Sequence, residues 1–134
     1  HADPSGNRDV FGINNYHISP GNHISAGGCP HICYHWALDD DGSIYLCNEL
    51  SDVVWHCRGQ NARSIGIMLV GDFAGPGHPG GEPTAVQEQA FFALAEHLME
   101  KLGLGPEVFY GHNSFGKPAC PGYTASGWIE QLHR

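Results

Sequence analysis

Near the end of the chain a histidine and a cysteine stand eight residues apart in GHNSFGKPACPGY: His112 and Cys120, in a loop stiffened by Pro118 and Pro121. Such a loop can present an imidazole and a thiolate to one point, and a stiff loop loses less entropy on binding than a mobile one. Zinc accepts this mixed nitrogen and sulfur pair. Two protein donors hold zinc only loosely, so a third is expected from another element, and His17, at the end of VFGINNYHI, is placed for it. Three protein ligands leave the fourth tetrahedral position to water, whose pKa falls to roughly 7 and which then serves as a hydrolytic nucleophile. The site implied is catalytic. His23 and His31 lie close enough in sequence to compete with His17, but they fall in a Gly-rich stretch that holds donors less rigidly than a strand end.

These donors need elements to carry them. Residues 10–18 are rich in β-formers and stop at SPGN, which predicts a strand ending near His17. Residues 19–30 read as an irregular connection. CYHWAL and SIYLC flank DDDG, which predicts a hairpin around Asp41 and Gly42. DVVWHC reads as a further short strand, and the unbroken apolar run SIGIMLVG as the middle of the sheet, covered on both faces. Over residues 84–102, Val86, Ala90, Leu94, Leu98 and Leu102 keep one apolar stripe on a helix. Thr84 and Gln87 fit a capping box at its start, and Gly103 with Gly105-Pro106 stops it. EVFYGH reads as a last strand delivering His112, and SGWIEQLHR as a closing helix that packs Trp128 and Leu132 inward. The expected fold is α/β: one domain over residues 1–134, a central mixed β-sheet flanked by helices, with residues 1–9 an extended N-terminal segment. On the hairpin strand, His35 points away from the Tyr34 face and reads as structural.

Composition narrows the partners. At 134 residues, 41% hydrophobic and 15% charged, the chain has an ordinary globular balance. Its net charge of −8 disfavours nucleic acid, and no apolar run is long enough to span a membrane. A monomer is expected. The first ten residues show neither the basic start nor the apolar core of a signal peptide, so the chain's location stays unassigned. Five cysteines cannot all pair internally, and Cys120 is the one assigned to metal. Cys29, Cys33, Cys47 and Cys57 allow up to two disulfides in three connectivities. CPHIC also has the form of half a structural zinc site, but no second tight Cys pair follows it, which favours ordinary thiols or disulfides.

Several motifs then fall in a recognisable order. YHIS at residues 16–19, CYHWALDDDGSIY, WHCRGQNARSIGIMLVGDF and GHNSFGKPACPG together resemble the type 2 N-acetylmuramoyl-L-alanine amidases, which include phage T7-type lysozymes and animal peptidoglycan recognition proteins. The similarity runs from about Phe11 to the end. It implies that His17, His112 and Cys120 hold Zn2+ and that Tyr34 is the tyrosine assisting catalysis in T7-type members. Some relatives instead carry a glutamate where Met68 stands, which favours the Tyr-dependent variant. The family's lysine usually lies two residues before the ligand cysteine; here Pro118 holds that position and Lys117 comes one step earlier, either as an oxyanion partner or as a solvated loop lysine. His56, Arg58 and Asn61 fall at substrate-cleft positions, with a polar hairpin end as the plainer alternative.

The resemblance also implies a substrate. It is the amide between the lactyl group of N-acetylmuramic acid and L-alanine in peptidoglycan, an extended glycopeptide that calls for an open groove. Only sixteen residues separate His17 from Tyr34, where many relatives place a helix that walls the cleft. A non-catalytic peptidoglycan-binding module is the competing class, although such members commonly lose the ligand cysteine. A structural zinc protein would recruit a fourth protein ligand and exclude water.

Overall fold

Where β-propensity predicts a strand, residues 10–18 form a helix. The computed structural model describes residues 9–71, 73 and 81–134, and helix α1 spans Val10–Ile18. Asp9 caps it, its carboxylate accepting from the Gly12 N–H at 2.7 Å. Its buried residues, Val10, Ile13 and His17, are spaced by three and four, the helical period and not the two of a strand. A cap and a helical spacing therefore outweigh the β-branched and aromatic content.

The hairpin forms as expected. Strands β1 (Trp36–Leu38) and β2 (Ile44–Leu46) pair antiparallel, with Leu38 opposite Ile44. The Asp39 N–H donates to the Ser43 carbonyl at 2.9 Å, and of the Asp-Gly step only Gly42 takes a positive φ, 87°. Strand β3 (Ile67–Leu69) pairs parallel with β1, giving the order β2-β1-β3. Among the described residues β1 is thus the middle strand and the SIGIMLVG run lies at an edge. It reads as unbroken apolar sequence because both faces of the sheet are covered. Ile67 and Leu69 pack with Leu38, Phe91, Leu94 and Trp128 on one face, and Met68 and Val70 with Val10, Ile13 and Ile32 on the other.

Two more expected strands are absent. Over residues 52–57 the side chains do alternate, Val54 and His56 buried and Val53 and Trp55 exposed, yet no ladder forms. Side chains hold that backbone instead: His35 Nε2 contacts the Asp52 carbonyl at 2.8 Å, and Asn61 Oδ1 accepts from the Cys57 N–H at 2.7 Å. At residues 107–112 the chain makes a 3-10 turn over Pro106–Val108, begun by the fixed φ of Pro106. A second turn, His112–Phe115, follows directly.

Helix α2 spans Ala85–Leu102 with the Thr84/Gln87 capping box and Gly103 at φ 65° ending it. Ala90, Leu94 and Leu98 of the expected stripe are buried, whereas Val86 and Leu102 at its ends are exposed. Helix α3, Tyr123–His133, starts earlier than SGWIEQLHR suggests, burying Trp128 and packing Leu132 on the core. The result is a sheet with α1 on one face and α2 and α3 on the other. Residues 1–8 and most of the Gly/Pro-rich stretch before α2 lie outside the described residues. No helix among those described is long and apolar enough to cross a membrane.

Gln87 fastens the helix layer to the sheet. It is 1% exposed, and its Nε2 donates to the carbonyls of Leu38 at 3.2 Å and Val70 at 2.9 Å while its Oε1 accepts from Thr84 N–H. Gln87→Ala leaves two strand-end carbonyls without that donor, and we expect a loss of about 2–4 kcal/mol in urea unfolding. A variant as stable as the parent contradicts this account.

Candidate functional site

The loop between His112 and Cys120 closes on its own backbone. The Asn113 N–H donates to the Cys120 carbonyl at 2.7 Å, the Lys117 N–H to the His112 carbonyl at 3.2 Å, and the Cys120 N–H to the Lys117 carbonyl at 3.0 Å. Those bonds bring the two ends together, leaving His112 Nδ1 3.5 Å from Cys120 Sγ.

Tyr34 stands beside this pair. Its ring centroid lies 6.5 Å from that of His112, 6.4 Å from His56 and 6.1 Å from His17. Asn48 pins its backbone, donating to the carbonyls of Tyr34 at 2.7 Å and Ile32 at 2.9 Å. Burial, then the nearby sulfurs of Cys120, Cys33 and Cys57, push the Tyr34 phenol above its ordinary range, so it holds its proton.

His17 is held from behind. Its carbonyl accepts from Cys29 N–H at 2.8 Å and from buried Asn22 Nδ2 at 2.7 Å, and its Nδ1 accepts from Cys33 N–H at 3.1 Å. Burial, with His23 nearby, lowers His17 to about 4, so the imidazole is neutral at neutral pH. With Nδ1 an acceptor, the ring hydrogen sits on Nε2. No disulfide joins the cysteines; burial first, then the hydrogen bond to Cys29, pushes the Cys33 thiol up to about 12.

His56 packs against Gly66, where a Cβ would fall 2.6 Å from the imidazole Cγ. This contact gives the glycine of SIGI its purpose. Burial lowers His56 to about 4, with His35 and His112 adding to the effect. His35 is fully buried, its Nδ1 accepting from Gly66 N–H at 3.0 Å, and it is structural as expected.

Tyr34, His56, His112 and Cys120 share the wall of a cavity of about 770 Å³. Arg58 and Lys117 are exposed and lie outside that wall. Lys117 still pulls the Cys57 thiol down against the burial that raises it. Asn61 spends its side-chain oxygen on the Cys57 backbone. Gln60 and Arg63 line the cavity instead, joined by a 2.8 Å bond from Arg63 Nε to Gln60 Oε1. Arg63, in the 3-10 turn Asn61–Arg63, is exposed like Arg58 but borders the cavity; spacing alone could not separate the two.

The donor set suits a zinc ion in part. With bonds of about 2.0 Å to nitrogen and 2.3 Å to sulfur, a tetrahedral edge is roughly 3.5 Å, the separation His112 and Cys120 already have. Among the described residues no three His, Cys, Asp or Glu side chains stand in metal-holding proximity, so His112 and Cys120 meet without a third such donor beside them.

Comparison with known proteins adds sequence and structural relatives. The family model for N-acetylmuramoyl-L-alanine amidase matches residues 3–123. The endolysin of Klebsiella phage KP32 is 30% identical over 100 residues, which is 75% of this chain and 65% of that protein. The chain therefore spans slightly less than two thirds of that relative. The Ph2119 endolysin from Thermus scotoductus MAT2119 bacteriophage Ph2119 superposes with a TM-score of 0.72 at 25% identity, covering 94% of this chain and 75% of its own. Human PGRP-IBETAC, solved in complex with glycosamyl muramyl pentapeptide, superposes at 0.63 and 25% identity, covering 82% and 61%.

Proposed function

Because the chain belongs to the type 2 N-acetylmuramoyl-L-alanine amidase family, we propose that it hydrolyses the amide between the lactyl group of N-acetylmuramic acid and L-alanine in bacterial peptidoglycan, as a zinc-dependent, endolysin- or autolysin-like enzyme. The observation that carries this reading is the His112–Cys120 pair, 3.5 Å apart on the wall of a cavity that Tyr34 also lines.

His112, Cys120 and His17 are the proposed ligands. A bound zinc ion supplies positive charge at the scissile carbonyl and a water whose pKa is lowered to roughly 7. To ligate as a neutral imidazole, His17 would give up the Cys33 hydrogen bond, either because Nδ1 itself takes the metal or because the ring hydrogen moves from Nε2 to Nδ1. The Tyr34 hydroxyl orients the attacking water and steadies the oxygen of the tetrahedral intermediate. From the loop crest, the flexible stem of Lys117 is assigned to the same developing charge. His56 forms the cleft wall on Gly66, Asn61 shapes the turn beneath it, and Arg58 meets substrate at the rim.

Purified cell wall tests the bond. Incubation with the protein should raise free amino groups while reducing sugar ends stay constant. A rise in reducing ends assigns the chain to glycan cleavage, and no rise in either leaves only the binding module.

A further inference from the structure

A second cavity, of about 460 Å³, lies on the other flank of the His112–Cys120 loop. Asn113 and Pro118 face it, His112 and Ser114 face the larger one, and Pro121 lines both, so the loop is a partition between them. Its volume falls in the roughly 300–1,000 Å³ range of small-ligand sites. We propose that this smaller cavity is the subsite for an amino sugar of the glycan strand, stacked on Tyr123, while the larger cavity takes the peptide.

Tyr123 is the first observation. The residue is 93% exposed at the start of α3, on the cavity rim, an aromatic ring open to water. A pyranose has an apolar C–H face and a polar edge, which matches a ring face set beside hydrogen-bonding groups. Asn113 donates to Ser126 Oγ at 3.3 Å and Thr124 bonds to Glu82, so both polar pairs stand ready to exchange partners with sugar hydroxyls. Among the described residues no side chain caps α3, which leaves its first-turn amides able to donate to an acetamido carbonyl.

Charge is the second observation, and it sets the direction. Among the described residues, Glu82 is the only fixed charge in the small cavity's wall, and Arg63 the only one in the large cavity's. A peptide bearing free carboxylates is repelled by the first and attracted by the second, whereas an uncharged amino sugar suits Glu82 as an acceptor. The bond to be cut joins a sugar to a peptide, so a substrate laid across the partition places one part in each cavity.

This inference rests on the amidase reading for the identity of the glycan, but its test does not depend on turnover. The zinc-loaded protein is titrated with an N-acetylglucosamine tetramer and, separately, with a free stem peptide. Tyr123→Ala should weaken the sugar at least about fivefold and shift the peptide less than twofold, and Arg63→Ala should do the reverse. Tyr123→Phe should bind sugar like the parent, because the ring face and not the hydroxyl makes the contact. Equal sugar affinity in the parent and Tyr123→Ala, loss in Tyr123→Phe, or no sugar binding by the parent at millimolar concentration overturns the proposal. Sugar binding that depends on Tyr123 in a protein releasing no peptide from cell wall would sink the amidase reading and leave the subsite standing.

Discussion

Chelating divalent metal is expected to lower peptide release from purified cell wall more than about a thousandfold, and stoichiometric zinc to restore it. The magnitude follows from what the residues alone can do. Burial lowers His17 to about 4, which makes its imidazole a weak base, and Tyr34 keeps its proton, so neither strongly activates an ordinary water, with a pKa near 15.7. The donors are two imidazoles and one sulfur, a set that suits zinc and suits calcium or magnesium poorly, since those ions take oxygen ligands. Neither of them should rescue the chelated protein. Zinc should also raise the midpoint of thermal unfolding, because it binds the folded arrangement. Full activity in chelator, with no metal bound, would show that hydrolysis proceeds by another route.

Tyr34→Phe is the second large effect. It should lower kcat about a hundredfold with little change in KM, the size seen when one positioned hydrogen-bonding group is removed from a transition state. The substitution isolates the hydroxyl. A phenylalanine keeps the ring packing among His17, His56 and His112, and Asn48 still holds the backbone carbonyl at position 34. Zinc content and unfolding should match the parent. A kcat equal to the parent's would remove Tyr34 from the chemistry and leave it a packing residue.

Features decided within a few residues were legible in the sequence. The hairpin turn depends on Gly42, the α2 boundaries on Thr84, Gln87 and Gly103, and the meeting of His112 and Cys120 on one short loop. Features decided by distant partners were not. Residues 10–18 carry β-formers, and only their packing against Ile32, Ala37 and Met68 makes the spacing of Val10, Ile13 and His17 decisive. Residues 52–57 alternate like a strand, but His35 and Asn61 take the backbone groups a ladder would use. The same limit applies at the site. His17 stands beside Tyr34 although its element is a helix, while Arg63, in a 3-10 turn not expected from the sequence, borders the cavity and Arg58 does not.

Mass spectrometry of digested muropeptides tests the central claim most directly. The account predicts free peptides that begin at L-alanine with an unblocked amino group, and glycan fragments that retain the intact lactyl acid. Products in which the peptide remains on its sugar, with the glycan or a peptide cross-link cut instead, would contradict it.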